Sequence, residues 1–304
     1  MKPSIKLCLL SLCLLLACPY TMADDSAPIP SDTVQYLVAN ATVCPVREDP
    51  SYAAEQATQL LFGEVCEFLE RHRGWTKIRS TVDGQVGWVS SSMLTPTDNP
   101  YPITDTRTAV VAHPIATATP INGGAPLLLT MGTRLPNYSH GTFEVLGQQY
   151  LIDPTCVNNT TQLLNSDLSR AELLNNVCAT AQTLLNTPYL WGGKNAMGLD
   201  CSGFTQVVYA AVGVNLLRNA REQITQGEEV KLLSEALPGD LAFFGYTNSE
   251  TQAIKITHVG LLLSPTEIIH CAGGRVHIDR IDADGIYLSD GTKTHDLIQI
   301  KRYL

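Results

Sequence analysis

Cys201 stands between Asp200 and Ser202 in "DCSGF", and glycines at 192, 193, 198 and 203 crowd both of its flanks. Asp200 reads as a helix N-cap, with Phe204, Val207, Val208 and Ala211 repeating at helical spacing behind it. The cysteine therefore falls in the first helical turn, where unpaired N–H groups and the positive dipole end favour a thiolate. The glycines keep the surroundings low, so that a substrate backbone can approach. A thiolate nucleophile also needs a base, best an imidazole with its own orienting partner. "ITHVGLLL" puts His258 in a strand, and twelve residues later "EIIHCAG" puts His270 in another. With "LSPT" as the turn, the strands are hairpin neighbours and both imidazoles can share one face toward the helix start. His258 would then take the thiol proton, while His270 bonds its second nitrogen and fixes the tautomer.

Two other uses of these residues stand beside this one. Cys201, His258, His270 and Cys271 are all zinc-ligand types, but His270 and Cys271 are adjacent on a strand and point to opposite faces. A Cys201–Cys271 disulfide would leave the glycines and both histidines unexplained. Cys271 reads as a small packing residue on the far side of the sheet. No metal and no cofactor is expected.

The elements that must position these groups separate by texture. Residues 160–304 contain "SDLSRAELLNNVCATAQTLLN", where Leu168, Ala171, Leu174, Val177, Cys178, Ala181 and Leu185 form an apolar helical stripe behind a Ser/Asp cap. Cys178 lies on that stripe and reads as core. A second helix starts near Cys201, and the runs "DLAFFGY", "ITHVGLLL", "EIIHCAG", "RVHIDR" and "DLIQIKRYL" follow as strands. Helices first and an antiparallel sheet afterwards make an α+β unit.

Residues 32–97 read as short strands, with a turn at Asp83–Gly84 and with Trp75 and Trp88 on neighbouring strands. The tryptophans are core of a small barrel or the wall of a cleft. After the proline-bearing linker "TPTDNPYP", residues 101–157 are again strand-like and read as a second, diverged barrel. His72, His113 and His140 are isolated and read as surface residues.

The stretches "PYLWGG…DCSGF", "LPGDLAFF", "HVGLLL" and "IIHCAGG" together resemble the NlpC-type cysteine peptidases of bacterial cell walls. The "GWTKI", "DG" and "GWV" segments resemble the bacterial SH3-like domains that one branch of that family carries at its N-terminus. The resemblance implies two small all-β SH3-like barrels followed by a papain-like α+β domain with helices packed on an antiparallel sheet. It implies hydrolysis of the γ-D-glutamyl bond in peptidoglycan stem peptides or muropeptides, with Cys201 as nucleophile, His258 as base and His270 as third polar residue. Tyr189 matches a tyrosine beside the nucleophile whose hydroxyl helps hold the oxyanion. Asp200, Ser202 and Trp191 match positions that shape the substrate pocket. The same branch selects peptides with a free N-terminal L-Ala, and Glu64 matches the acidic residue that pairs with the amine. Gln85 stands where the family often has tyrosine, and Asn219 where it has aspartate; Asn219 with Glu222 also spells a helix capping box. A non-catalytic wall-binding protein with an inactive peptidase domain is the competing reading, against which all three catalytic positions are filled.

The chain as a whole fits an exported enzyme. Residues 1–23 carry two lysines, an apolar run from Leu7 to Ala17 and a polar end, a secretory signal too short to span a bilayer. Thr21 and Ala23 suit simple cleavage, while "LLLAC" resembles a lipobox that would lipidate Cys18; Leu16 and Pro19 are unusual neighbours for the second. The expected location is the periplasm or cell envelope, with no membrane-spanning segment once the signal is removed. A net charge of −9 leaves no basic stripe for nucleic acid. Outside the signal, six cysteines are scattered without metal spacing, and a Cys44–Cys66 bridge is open.

Overall fold

The computed structural model describes residues 35–98, 100, 109–160 and 170–304. The signal, Cys18, the end of the linker and the Ser/Asp cap with Leu168 lie outside the described residues. No helix among the described residues is long and apolar enough to cross a membrane.

Residues 36–97 form a seven-stranded antiparallel sheet around Leu37, Cys44, Val46, Leu60, Cys66, Ile78 and Val89. Trp75 and Trp88 lie on adjacent paired strands and are largely buried, under Tyr52 and Lys77 respectively. Neither reaches the cleft described below. Cys44 and Cys66 are free thiols, as are the other four described cysteines, so the Cys44–Cys66 bridge left open by the sequence is not formed. Each sulfur instead donates to backbone carbonyls, Cys44 to Ala41 and Met93, Cys66 to Leu37.

Residues 109–159 build a four-stranded and a three-stranded antiparallel sheet. Their apolar side chains, among them Leu129, Phe143 and Ile152, enclose one core with Val38, Phe62 and Val65 of the preceding unit. The two β units are thus fused through shared apolar burial rather than merely tethered. His72, His113 and His140 are exposed.

The C-terminal unit has helices α1 (Arg170–Gln182), α2 (Cys201–Ala211) and α3 (Ala220–Gln223). Its strands are β1 (Glu228–Val230), β2 (Leu241–Thr247), β3 (Ile254–Ser264), β4 (Glu267–Ala272), β5 (Arg275–Asp282), β6 (Gly285–Tyr287) and β7 (Lys293–Arg302). Helix α1 buries Leu174, Val177 and Ala181 as its period requires. It ends at Gln182, so the stripe breaks there: Leu184 is buried and Leu185, read as its last member, is exposed.

The sheet runs β1-β7-β2-β3-β4-β5-β6, and β6 pairs back onto β7, which closes six strands into a barrel. Strand alternation sorts the side chains. Phe244, Leu262, Ile268, Ile281 and Ile286 fill the interior, while Val259, Leu261, Ile269 and Cys271 face outward against α2. Helix α2 is buried almost all round, with Phe204, Val207 and Val208 in that outer core.

Candidate active site

The N-cap places Cys201. The Asp200 carboxylate accepts from the Gly203 N–H at 2.7 Å and from the Gly192 N–H at 3.0 Å, tying the helix start to the loop before it. Arg218, fully buried, donates to both oxygens of Asp200 at 3.0 and 2.6 Å, to the Ser202 hydroxyl at 3.0 Å, and through Nε to Thr58 of the first β unit at 2.7 Å. This fork-on-fork pair holds two residues beside Cys201 and the N-terminal unit in one network. The first unit also grips the loop itself: Gln56 donates to the Trp191 carbonyl, and Gln59 accepts from the Lys194 N–H and from Asn195.

The glycines around Cys201 do a different job from the one expected. A Cβ on Gly203 would lie 2.0 Å from the Gly193 carbonyl oxygen, and one on Gly192 would lie 2.4 Å from the Gln56 carbonyl oxygen. They let the protein's own backbone close in, and the approach to the thiol is made elsewhere.

That approach is a cleft of about 730 Å³ lined by Tyr189, Trp191, Asp200, Cys201, Ser202, Asn219, His258 and His295, with Glu48, Glu55 and Gln85 from the first β unit opposite. His258 and His270 sit on the interior face of the barrel, where β3 and β4 pair. They share a face as expected, but it is the face away from the helix packing; Cys201 and His258 open onto the same cleft. Gly260 makes the contact possible, because a Cβ there would stand 2.9 Å from the His270 Cβ. Cys271 points to the opposite face and donates to the Leu199 carbonyl, so the four residues of the zinc reading do not converge.

His258 Nε2 and His270 Nδ1 are 2.8 Å apart, and His270 Nε2 lies 3.2 Å from Asp279 Oδ2. The carboxylate only accepts, so His270 donates from Nε2 and accepts at Nδ1; His258 therefore donates from Nε2 and keeps its lone pair on Nδ1. One aspartate thus sets both tautomers, and leaves His258 a base on its remaining nitrogen. His295 lies over His258, with ring centroids 4.3 Å apart.

Burial opposes charge on both members of the pair. Burial, with the neighbouring imidazoles adding to it, holds His258 well below the ordinary histidine value. Burial pushes the Cys201 thiol up to about 12, reinforced by the Asp200 carboxylate, against the opposing Val259 N–H and Arg218. Burial thus works against the thiolate that the helix start favours. Asp279 is held below the usual carboxylate range, chiefly by its bond to His270. Such an arrangement can transfer the thiol proton to His258 when a substrate carbonyl arrives, since the two buried charges then form together and offset one another.

Glu64 is not in the cleft. Both its oxygens accept from Lys194 Nζ at 3.0 Å and one also accepts from the Leu61 N–H, with both side chains buried. It closes the turn just before the strand Val65–His72, and its side chain neutralises a lysine from a distant segment. Gln85 and Asn219 line the cleft, and both donate to the Glu222 carboxylate. Asp279, Arg218, His295, Glu48 and Glu55 went unassigned in the sequence; only "HIDR" carried a signal, since strand alternation puts His277 and Asp279 on one face.

Residues 186–292 match the NlpC/P60 family, and residues 46–94 match the bacterial dipeptidyl-peptidase Sh3 domain. The gamma-D-glutamyl-L-lysine dipeptidyl-peptidase of Bacillus subtilis (strain 168) is 28% identical over 225 residues, covering 70% of this chain and 71% of that protein. The probable endopeptidase p60 of Listeria grayi is 34% identical over 128 residues, covering 42% of this chain but only 22% of its own length. The crystal structure of an NlpC/P60 family protein from Bacillus cereus ATCC 10987 shares the fold, with a TM-score of 0.71 at 20% identity, over 88% of this chain and 99% of that one. With a thiol at a helix start beside a buried imidazole, and with both segments matched in order, the chain carries an NlpC/P60 family domain, a cysteine-peptidase hydrolase domain, preceded by a bacterial Sh3 domain.

Proposed function

We propose that this chain is an exported cysteine peptidase that hydrolyses the γ-D-glutamyl–diamino acid bond of peptidoglycan stem peptides, at 160–304, with residues 32–97 and 101–157 as two SH3-like units. The observation that carries the reading is the hydrogen-bonded run from His258 through His270 to Asp279, with His258 and Cys201 opening onto the same cleft. In the reaction, Cys201 gives its proton to His258 Nδ1 and its sulfur attacks the γ-carbonyl carbon of D-Glu. The oxyanion that forms is stabilised by the helix start and the Tyr189 hydroxyl, which borders the same cleft. Collapse expels the diamino acid amine, protonated by His258, and leaves a thioester. Water, deprotonated by His258, then releases the dipeptide and restores the thiol. Asp279 acts through His270 as a positioning residue.

The wall supplied by the first β unit supports selection of short peptides. Glu48 and Glu55, rather than Glu64, put carboxylates on the cleft where a free L-Ala ammonium would lie. The test compares kcat/KM for L-Ala-γ-D-Glu-diaminopimelate with that of its N-acetyl form. A preference for the free amine of about tenfold or more, the effect of about 1.4 kcal/mol, is expected. Equal rates would show that the wall does not read the amine.

A further inference from the structure

On the side of His270 away from His258 lies a second group of ligand-type atoms. His270 and His277 are directly paired across β4 and β5, and Asp279 follows two residues along the same face of β5. The Nε2 atoms of both rings lie 3.2 Å from the same oxygen, Asp279 Oδ2, and the three atoms all fall within 4.8 Å of one another. Zinc binds imidazole nitrogen and carboxylate oxygen at about 2.0–2.2 Å, so neighbouring ligands of a tetrahedral ion stand about 3.3 Å apart. Two edges of that figure are already present. The third needs a small inward movement of the partly exposed His277.

Hydrogen-bond bookkeeping points the same way. His277 Nδ1 is 2.9 Å from the Arg275 carbonyl oxygen and must donate to it. The neutral ring then turns the lone pair of Nε2 toward the carboxylate, where two acceptors face each other at 3.2 Å. A proton or a cation between them resolves the mismatch. A ring whose other nitrogen donates to a backbone carbonyl is also the usual outer support of a metal-ligating histidine.

We propose that His270, His277 and Asp279 form an inhibitory site for a divalent transition metal of the zinc class, which disables His258 by reversing the tautomers of the imidazole pair. A metal on His270 Nε2 displaces the proton there to solvent. The His258 Nε2 proton passes to His270 Nδ1, and His258 takes up a proton on Nδ1, the nitrogen assigned above to receive the thiol proton. Each ring still carries one proton, and the count balances. His258 can no longer accept from Cys201. The binding stands on geometry alone; the inhibition rests on the assignment of His258 as base.

The test has two arms on the full chain. In the first, cobalt(II) is titrated into Cys201→Ala, which removes the thiol as a ligand, and the visible d–d absorption is read. One cobalt per chain is expected, displaced by zinc and lost in Cys201→Ala/His277→Gln whose circular dichroism is unchanged. Absence of the band in Cys201→Ala, or its persistence in the double variant, overturns the site. In the second, zinc is titrated against hydrolysis by wild type and by His277→Gln, each relative to its own metal-free rate. Wild type should lose activity and regain it with a chelator, while His277→Gln needs at least about tenfold more zinc for half inhibition. Equal sensitivity would place the inhibiting metal on Cys201 and overturn the switch, as would binding without inhibition. Were the chain to hydrolyse no stem peptide at all, the peptidase reading would fail by itself and the cobalt arm would still decide the site.

Discussion

Glu64→Gln separates a structural carboxylate from a substrate-binding one. In the fold, the Glu64 and Lys194 side chains are each 3% exposed and joined by two bonds of 3.0 Å, and the buried Asp83 carboxylate also feels Lys194. Removing one partner of a buried pair costs about 3–5 kcal/mol, because the other charge stays buried without compensation. The amide keeps an oxygen for the Leu61 N–H, which puts the expected loss near the lower end. At roughly 2–4 °C per kcal/mol for a chain of this size class, a loss near 3 kcal/mol should lower the melting temperature by about 6–12 °C. Glu64→Leu/Lys194→Met, which removes both charges, should recover most of it. Calorimetry of the single and double variants measures this, and the ratio of free-amine to N-acetyl peptide cleavage is read alongside. That ratio should not change. A melting point within 2 °C of wild type, together with a lost preference for the free amine, would refute the placement and return Glu64 to the cleft.

Other expectations rest on the imidazole run. Gly260→Ala would drive a Cβ to 2.9 Å from the His270 Cβ and 2.7 Å from Ile268 Cδ1; displacing His270 should cut kcat roughly 10–100-fold in a folded protein, and a wild-type kcat would contradict that contact. Asp279→Asn can still accept from His270 but removes the charge that supports the imidazolium, so kcat should fall about tenfold with KM little changed. Because burial holds His258 below its ordinary value, the base stays unprotonated as pH falls. The acid limb of kcat/KM should therefore lie below about 6.5 in wild type and lower still in Asp279→Asn, which a pH–rate series reads directly; a wild-type limb at or above 6.5 would count against the assignment.

Much of the site could be read before the fold because its pieces are local. An N-cap, a helical stripe and two alternating strands are short-range patterns, and they bring Cys201, Tyr189, His258 and Asn219 to one cleft with His270 behind. What could not be read depends on pairing at long range. Closure of the barrel needs β6 on β7, which alternation within either strand does not encode. Arg218 gives no periodic signal, yet it joins Thr58 to Asp200 across 160 and 18 residues of sequence. Glu64 misled because its side-chain direction is fixed by Lys194, 130 residues away. The glycines misled similarly: their spacing announces close approach without saying that the approaching backbone is the protein's own.

Whether Cys201 attacks a stem peptide is read by mass spectrometry of L-Ala-γ-D-Glu-diaminopimelate incubated with wild type and with Cys201→Ala. Wild type should release L-Ala-γ-D-Glu and free diaminopimelate, and the alanine variant should release neither while keeping its melting temperature. Equal product from both proteins, or none from wild type, would contradict Cys201 as the nucleophile of a stem-peptide hydrolase.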